Sequence, residues 1–240
     1  MAPVTYPLVS SALGDSRAVE LTDISQAAAW ALETWDLRGT LRMSGDGWLV
    51  HGPGGYLGLI PTEVATRYPD LKRVFQSGLA PEVSVRLRPA EDGSGRMLGS
   101  VELPAAPFVV PVGRTASPVL GQGGRLELEL QADVEVPAQV LVELDAVGEE
   151  VVARFNGRLF GAVHSTPASL LDAVSTRPLA ARAFVAAGRA ALDIGPELVA
   201  AEIPALSAPE PQILRTASGQ ESFPLIPLDQ AWLDSPEKRR

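Results

Sequence analysis

An internal repeat is the feature of this sequence that most constrains its fold, because segments about 100 residues apart match in the same order. Residues 55–60 align with residues 158–163 when Gly58 is placed on Gly161. Three further pairs of segments match, namely 40–50 with 142–153, 102–105 with 202–205, and 114–117 with 215–218. Chance similarity in a chain rich in Ala, Leu, Val and Pro is the alternative. Four ordered matches at nearly constant spacing favour two copies of one small unit.

Both copies predict the same series of elements. The predicted strands are 37–43, 48–51, 56–60 and 83–88 in the first copy and 140–144, 151–155, 159–164 and 181–187 in the second. Asn156 and Gly157 separate two apolar strands, which favours a two-residue hairpin because both residues tolerate a positive φ. After the third strand, a hydroxyl residue and a proline indicate the start of a helix in each copy. The predicted helices extend over residues 62–76 and 167–174. Each copy is therefore predicted to be a small sheet or half-open barrel carrying one helix.

Three elements lie outside these series. Residues 23–35 contain a capping residue and good helix formers, so they are predicted to form a helix. Residues 126–136 alternate strictly between apolar and polar side chains, which predicts a strand with one buried face. This strand is a candidate to be shared between the two copies. The charged residues 234–240 are expected to be frayed.

The predicted fold is β-rich α+β, with two tandem small β-barrel-like repeats, each carrying one helix, and an N-terminal helix. The abundance of turns implied by 21 prolines and 22 glycines agrees with short strands. We expect an N-terminal segment at 1–36, the first repeat at 37–121, the second at 122–225 and a tail at 226–240. Residues 121–124 are rich in glycine but lack the Gly-Lys-Ser/Thr ending of a phosphate loop, so they are interpreted as a linker between the repeats.

The segment Gly55–Pro61, followed by a helix containing Ala65 and a strand after Gly78, resembles part of the HIRAN domain. In that family of small β-barrel modules, a hairpin ends in an apolar-Gly-apolar-Ile-Pro turn that leads to a helix. The resemblance is clearest over residues 37–88 and extends faintly to the second copy. It implies a module that binds the ends of single-stranded DNA. The family usually carries an Asn-Pro-aromatic-Asp stretch near its ligand, which residues 44–47 replace with Ser-Gly-Asp-Gly. The resemblance therefore implies the scaffold more strongly than the DNA binding.

Composition excludes several classes of site and partner. The chain has no cysteine, which excludes disulfide scaffolds, thiolate zinc sites and cysteine nucleophiles. A formal net charge of −9 disfavours nucleic acid and anionic membranes as default partners. The sequence shows no signal-peptide pattern and no apolar stretch near the roughly 20 residues of a membrane span, so we expect a cytoplasmic protein without membrane contact. Lys72 and Lys238 are the only lysines, and this preference for arginine is typical of a GC-rich bacterial genome.

Catalytic chemistry has few candidate residues. The two histidines, His51 and His164, lie beside glycine-containing turns, without metal-site spacing or a serine-nucleophile motif. Ser165 follows His164 directly, and neighbours on a strand point to opposite faces, so they cannot form a dyad. Most carboxylates lie in alternating or loop contexts typical of solvated surfaces, although an acid–base pair made across the repeats stays open. We therefore expect no enzymatic activity, no cofactor and no metal.

The strongest functional signal is a charge difference between the copies. Residues 37–100 contain eight Arg and Lys against six carboxylates, a net charge of +2, whereas residues 138–215 contain six Arg against nine carboxylates, a net charge of −3. Cations on a helix and on one strand face, together with an aromatic ring, can hold a nucleic-acid backbone or end. The candidate residues are Tyr56, Arg67, Lys72, Arg73, Arg86 and Arg88. A mixed, solvated surface with local salt bridges is the alternative interpretation.

Three functions remain open at this point. The favoured hypothesis is a non-catalytic binding protein, built from two diverged HIRAN-like repeats, with a protein partner. The second is a single-stranded DNA-end binding protein that acts through the first repeat. The third is a structural subunit of a phage or other bacterial assembly, in which case the chain forms oligomers.

Overall fold

The computed structural model describes residues 4–8, 16–45, 47–131, 134, 137–201, 203–207, 213–214 and 223–224. The chain divides into two compact units. Unit 1 comprises Met1–Val110 and Ile203–Ala208, and unit 2 comprises Pro111–Glu202 and Pro209–Arg240. Both consist mainly of β-strands, with four α-helices among the described residues. The prediction of a β-rich fold with barrel-like units is therefore confirmed.

Unit 1 is a seven-stranded sheet that curls into a half-barrel. Its strands are β1 (Thr5–Pro7), β2 (Arg17–Glu20), β3 (Asp36–Ser44), β4 (Gly47–Gly52), β5 (Gly55–Pro61), β6 (Ala80–Pro89) and β7 (Met97–Leu103). Its helices are α1 (Gln26–Trp30), α2 (Thr62–Ala65) and α3 (Leu71–Gln76), with a 3₁₀ turn at Ala106–Phe108. The sheet order is β2-β7-β6-β3-β4-β5, and β1 adds to β6 in parallel. Beyond β2, Thr22 bridges to Leu59 of β5.

Unit 2 contains a closed six-stranded barrel. Its elements are β8 (Val119–Leu120), β9 (Leu126–Leu130), β10 (Ala138–Val147), β11 (Glu150–Phe155), β12 (Arg158–Val163), α4 (Ala168–Thr176), β13 (Leu179–Ala186), β14 (Arg189–Asp193) and β15 (Ala200–Ala201). The order β10-β11-β12-β9-β14-β13 closes on itself because β13 also pairs with β10. Strand β8 adds to β13 in parallel, and β15 pairs with β8. A separate two-stranded ladder joins β16 (Ile213–Leu214) to β17 (Phe223–Pro224).

The two units connect their strands in the same order. Strands β2 to β7 of unit 1 correspond in pairing to β9 to β14 of unit 2, and β1 corresponds to β8. Gly58 pairs with Val50 and Gly161 with Ala153, and both ladders shift register directly after that pair. A Cβ added to Gly58 would lie 3.2 Å from the Thr22 carbonyl oxygen, and one added to Gly161 would lie 2.6 Å from that of Glu129. Both glycines therefore let the third strand of the unit approach its first strand closely.

The predicted strands of both copies are present. Each of the eight lies within or nearly within an observed strand, with ends that differ by a few residues. The hairpin between β11 and β12 turns at Asn156 and Gly157, whose φ angles are 50° and 76°. Both angles are positive, as a two-residue hairpin of this type requires, so this prediction is confirmed.

The predicted helices of unit 1 are wrong in extent. The helix expected at 62–76 is two short helices, because Pro69 lacks an N–H and disfavours helical backbone at the residue before it. The helix expected at 23–35 is only the five-residue α1. Asp23 has a φ of 47°, and the Trp35 carbonyl accepts a hydrogen bond of 2.8 Å from Leu87 N–H, so the chain is already extended there. Unit 1 thus has more than the one helix predicted for each repeat.

Three other predictions need correction. The strand expected at 126–136 is β9, which pairs with β12 and β14 of unit 2 and is therefore not shared; residues 132–133 and 135–136 lie outside the described residues. The predicted linker at 121–124 packs within unit 2, where Gly121 hydrogen-bonds to Val199 and Gly195. The match of Glu102 with residue 202 does not join equivalent strands, since Asp193 holds the place of Glu102 in the β13–β14 ladder. Residues 215–218 lie outside the described residues.

Each unit has its own hydrophobic core. In unit 1, Trp48 packs against Tyr68 and Phe75, so α3 and its preceding turn cover one end of the sheet. In unit 2, Phe155 and Phe160 lie together inside the barrel. Residues 203–207 belong to unit 1, where Ile203 and Leu206 pack against the core and Ser207 N–H donates to the Ser77 hydroxyl at 3.0 Å.

The described helices are short. The longest, α4, has nine residues, so none of the described helices combines the length and apolar character that crossing a bilayer demands.

Candidate binding surface of unit 1

The predicted site residues fall in three separate places on unit 1. Tyr56 lies on β5, Arg67, Lys72 and Arg73 lie on or before α3, and Arg86 and Arg88 lie on the outward face of β6. Helix α3 ends three residues before β6 begins, and Arg88 lies eight residues beyond the first residue of β6, which is roughly 25 Å along the strand at 3.3 Å per residue. The six residues thus lie on or beside three different elements of unit 1.

The helix group is smaller than predicted. Arg67 and Lys72 are exposed, but Arg73 is only 7% exposed. Its charge acts on Asp70, whose pKa is raised by burial and lowered to a lesser degree by Arg73. Arg73 thus contributes to the packing of α3 and is not available to a ligand at the surface.

Tyr56 holds two parts of unit 1 together. Its hydroxyl lies 2.9 Å from both the carbonyl oxygen and the carboxylate Oδ2 of Asp23, which ties β5 to the connection between β2 and α1. Burial, followed by the hydrogen bond and the charge of Asp23, raises the pKa of Tyr56 to about 12. The His51 ring packs edge-on at 6.1 Å, and its Nε2 is buried with no hydrogen-bond partner among the described residues. Burial and, to a smaller extent, Arg42 lower the pKa of His51, so this ring is neutral at pH 7.

The outward face of β6 carries charges of both signs. Arg86 Nε donates to Asp36 Oδ1 at 2.9 Å, and Arg88 lies 3.7 Å from Glu91. A shallow hollow of about 430 Å³ lies on this face, lined by Asp36, Leu37, Arg38, Ser84, Val85, Arg86 and Glu102. The arginines predicted to hold phosphate groups are therefore already balanced by carboxylates.

Two exposed tryptophans form the feature that the sequence analysis missed. Trp30 and Trp35 are 48% and 39% exposed, and their rings meet edge to face at 6.0 Å. Trp30 Nε1 donates to the Gly95 carbonyl at 3.1 Å, and the Gln26 side chain pairs with both backbone groups of Met97. These bonds hold α1 against the β6–β7 connection. We call Trp30, Trp35, Arg88, Arg96 and Leu98 the tryptophan surface.

A second hollow lies within the tryptophan surface and extends to the neighbouring residues of the β6–β7 connection. Its volume is about 250 Å³, and it is lined by Arg88, Ala90, Glu91, Asp92, Arg96 and Leu98. Since Trp30 bonds to the same connection that lines the hollow, aromatic, aliphatic and guanidinium groups lie side by side. Tryptophan and arginine are both enriched among the hot-spot residues of protein–protein interfaces. The sequence signal is two tryptophans five residues apart beside an alanine-rich stretch, a pattern that by itself predicts only a helix.

The corresponding strand of unit 2 offers no such surface. Register places Arg182 and Phe184 of β13 where Ser84 and Arg86 stand in β6, and both are buried. Asp193, opposite Arg182, accepts a hydrogen bond from Gly123 N–H at 3.1 Å. Burial raises the pKa of Asp193, while its bonds to the backbone and the charge of Arg182 oppose that shift. The 121–124 loop therefore covers this part of the barrel.

Among the residues that the structure describes, no three His, Asp or Glu side chains are grouped so that they could hold a metal ion. Comparisons with protein-family models, curated proteins and solved structures find no match to this chain.

Proposed function

We propose that this protein is a non-catalytic binding protein made of two diverged copies of one small β-barrel unit. Unit 1 recognises a protein partner through the tryptophan surface, and unit 2 serves as its stable companion. The observation that carries this proposal is the exposed contact between Trp30 and Trp35 beside Arg88 and Arg96.

The common order of connections supports a duplicated origin. The close-approach glycines Gly58 and Gly161 hold the same place in their ladders, and each is followed by a register shift. The HIRAN-like segment Gly55–Pro61 contains the first of them. The side chains around them have diverged, since Arg154 and Leu159 stand in unit 2 where His51 and Tyr56 stand in unit 1. One copy is thus free to keep a binding surface while the other changes.

The chemistry of the tryptophan surface favours a protein over a charged polymer. Tryptophan and arginine are enriched among the residues that dominate protein interfaces, because large rings and planar guanidinium groups bury much area with few rotatable bonds. Glu91 and Asp92 line the same hollow as Arg88 and Arg96, so cations and carboxylates balance there. A polyanion would meet as much repulsion as attraction, whereas a protein with mixed charges would find complementary groups.

The test compares tryptophan variants in quantitative affinity capture. Trp35→Ala should weaken binding of the captured partner by about thirtyfold, the loss expected of a hot-spot residue. Met43→Ala is the matched control, because Met43 is an exposed apolar residue of the same unit on a different strand end. Both variants should keep the wild-type circular dichroism spectrum. Equal capture by the two variants would remove the tryptophan surface from the proposal.

A second candidate function is single-stranded DNA-end binding through the same surface. It is favoured by the presence of two rings and two guanidinium groups, which can stack on bases and hold phosphates. Fluorescence anisotropy with labelled single- and double-stranded oligonucleotides at low and moderate salt tests it. Tight, end-dependent binding that is lost in Arg88→Ala and Trp35→Ala would assign nucleic acid as the partner. Binding lost only in Arg67→Ala or Lys72→Ala would place DNA at the helix instead.

A further inference from the structure

In unit 2, the pairing of β9 with β12 is one of the six strand pairings that complete the closed barrel. We call this pairing, and its equivalent between β2 and β5 in unit 1, the seam. Leu128, Glu129 and Leu130 pair with Val163, Ala162 and Gly161, respectively. The seam extends by one more bond, because His164 N–H donates to the Glu127 carbonyl at 2.9 Å. Strand β9 thus has a backbone partner on both sides, β14 on one and β12 on the other.

Among the described residues, the equivalent seam in unit 1 holds one bridged residue pair, and the Ser25 N–H adds one bond of 3.0 Å to the Leu57 carbonyl. Thr22 and Leu59 exchange backbone hydrogen bonds of 2.9 and 2.8 Å at the place of Glu129 and Ala162. The next residue of β5 whose backbone groups would point toward β2 is Pro61. It occupies the position of His164 in unit 2. Proline has no N–H to donate, and α2 begins at the following residue, so the chain turns away from β2.

Within the described part of the chain, strand β2 consequently has one edge without a partner strand, which we call the free edge. Leu21 N–H donates to the Gly99 carbonyl at 2.8 Å, so the backbone N–H and C=O groups of Leu21 point toward β7. Because these groups alternate in direction along a strand, those of Val19 and Arg17 also point toward β7. Ala18 and Glu20 direct their N–H and C=O groups the other way, to the side on which Thr22 meets Leu59. Both residues are exposed, and within the described part of the chain these four backbone groups have no hydrogen-bond partner.

We infer that the free edge of β2 is a docking site for an extended, acidic segment of a partner protein, which adds to unit 1 as a strand. The occupant must be backbone, because alternating N–H and C=O groups are satisfied in register only by another extended chain. Unit 2 shows the same place filled in this way by its own β12. The docked segment therefore pairs with β2 in unit 1 as β12 pairs with β9 in unit 2.

The acidic character of the segment follows from the charges at the end of the seam. Arg17 is the first residue of β2, and Arg67 lies in the turn after α2; both are exposed. Both guanidinium charges act on the buried Tyr68 hydroxyl, where they lower a pKa that burial raises more strongly. The two cations therefore lie near one point beside the free edge. A carboxylate on the docked segment would reach them at this end.

This site goes beyond the proposed function and does not depend on it. Trp30 bonds to Gly95, which precedes β7, whereas Arg17 pairs with Leu103 at the opposite end of β7. Loss of binding at one place leaves the other intact. Variants of the tryptophan surface are thus a control for the edge, and variants of the edge are a control for the tryptophan surface.

The experiment uses the full chain and a defined probe, a random library of peptides of about twelve residues displayed on phage. Enriched peptides are synthesised and their affinities measured against three forms of the protein. Ala18→Pro removes an N–H on the free edge that makes no bond to any described residue, and Ala18→Val keeps it. Binding should weaken by about tenfold or more in Ala18→Pro and stay within about twofold in Ala18→Val.

Two further measurements identify the edge and the charge. Amide hydrogen exchange at Ala18 and Glu20 should be fast in the free protein and slow in the complex, in wild-type protein as well as in Ala18→Val. Replacing the peptide's carboxylates by amides should weaken binding, and Arg17→Gln should remove that dependence. The exchange measurement needs no variant, so it decides the question even where Ala18→Pro fails to fold.

Several outcomes would overturn the inference. These are the absence of any enriched peptide, equal binding to Ala18→Pro and Ala18→Val, and peptide binding without protection of Ala18 and Glu20. Protection that appears with rising protein concentration alone, together with a dimer in light scattering, would assign the edge to a second copy of the chain. Enriched peptides without acidic residues would overturn the role given to Arg17 and Arg67.

Discussion

Strands β6 and β13 occupy the same place in the two units, yet their outward faces have opposite environments. Arg86 of β6 has a side chain that is 64% exposed and paired with Asp36, whereas Phe184, at the same position of β13, is fully buried. The inward residues are apolar and buried in both strands. A common core pattern thus preserves the barrel, while the outward residues decide which unit keeps an accessible surface.

Removing the buried carboxylate of unit 2 should give the largest difference in stability between the two units. Asp193→Ala should lower the free energy of unfolding of unit 2 by about 3 kcal/mol, because it removes the acceptor of the Gly123 N–H and a buried carboxylate whose charge acts on the buried Arg182. Glu102→Ala, the equivalent change in unit 1, should cost less than about 1 kcal/mol since its surroundings are solvated. Denaturant unfolding with amide exchange as the probe separates the two units. Equal losses would show that the two faces do not differ as described.

The two close-approach glycines give a smaller contrast. Gly161→Ala places a methyl group 2.6 Å from the Glu129 carbonyl oxygen, and backbone there must shift; Gly58→Ala approaches the Thr22 oxygen only to 3.2 Å. We expect a loss of about 2 kcal/mol for Gly161→Ala and about 1 kcal/mol for Gly58→Ala. Thermal and denaturant unfolding of both variants measures the difference. A larger loss for Gly58→Ala would mean that the half-barrel seam is the tighter of the two.

The pH dependence of stability should also differ between the units, by less than the two contrasts above. The pKa of Tyr56 rises from 10.0 in the unfolded chain to about 12 in the folded chain, so the folded state keeps a proton that the unfolded state loses. The resulting stabilisation is complete below pH 10 and disappears as the pH rises through about 12. Leu159 holds this place in unit 2 and does not titrate. After correction for the base-catalysed intrinsic rate, the amide protection of unit 1, but not that of unit 2, should therefore fall across this window, and Tyr56→Phe should abolish the fall.

The strands were predictable because their signals are local. Alternating apolar residues and a turn such as Asn156-Gly157 act within one hairpin, so the sequence alone places β11 and β12. The ends of α1 were not predictable, since the bond from Leu87 to Trp35 joins residues far apart in the chain. The same holds for residues 121–124, which were predicted to be a linker between the repeats but are held within unit 2 by the bond from Gly123 to Asp193.

The candidate site was predicted less well than the fold. Charge counting selected Arg86 and Arg88, which do lie on an exposed face, but it cannot show that Asp36 and Glu91 balance them. It also selected Arg73, whose burial depends on how α3 packs. The exposure of Trp30 and Trp35 depends on where α1 ends, and that end is set by contacts with β6 and β7.

The packing of Ile203 and Leu206 on the core of unit 1 has a consequence for synthesis on the ribosome. Domains generally fold as they emerge, with the N-terminal one first. Here the first unit to emerge lacks part of its core until the chain has been translated past residue 206, by which point the strands of the closed barrel have already been made. The closed barrel of unit 2 can therefore form while the nascent unit 1 still has an uncovered apolar site. A ribosome stalled near residue 200 would present that site to chaperones.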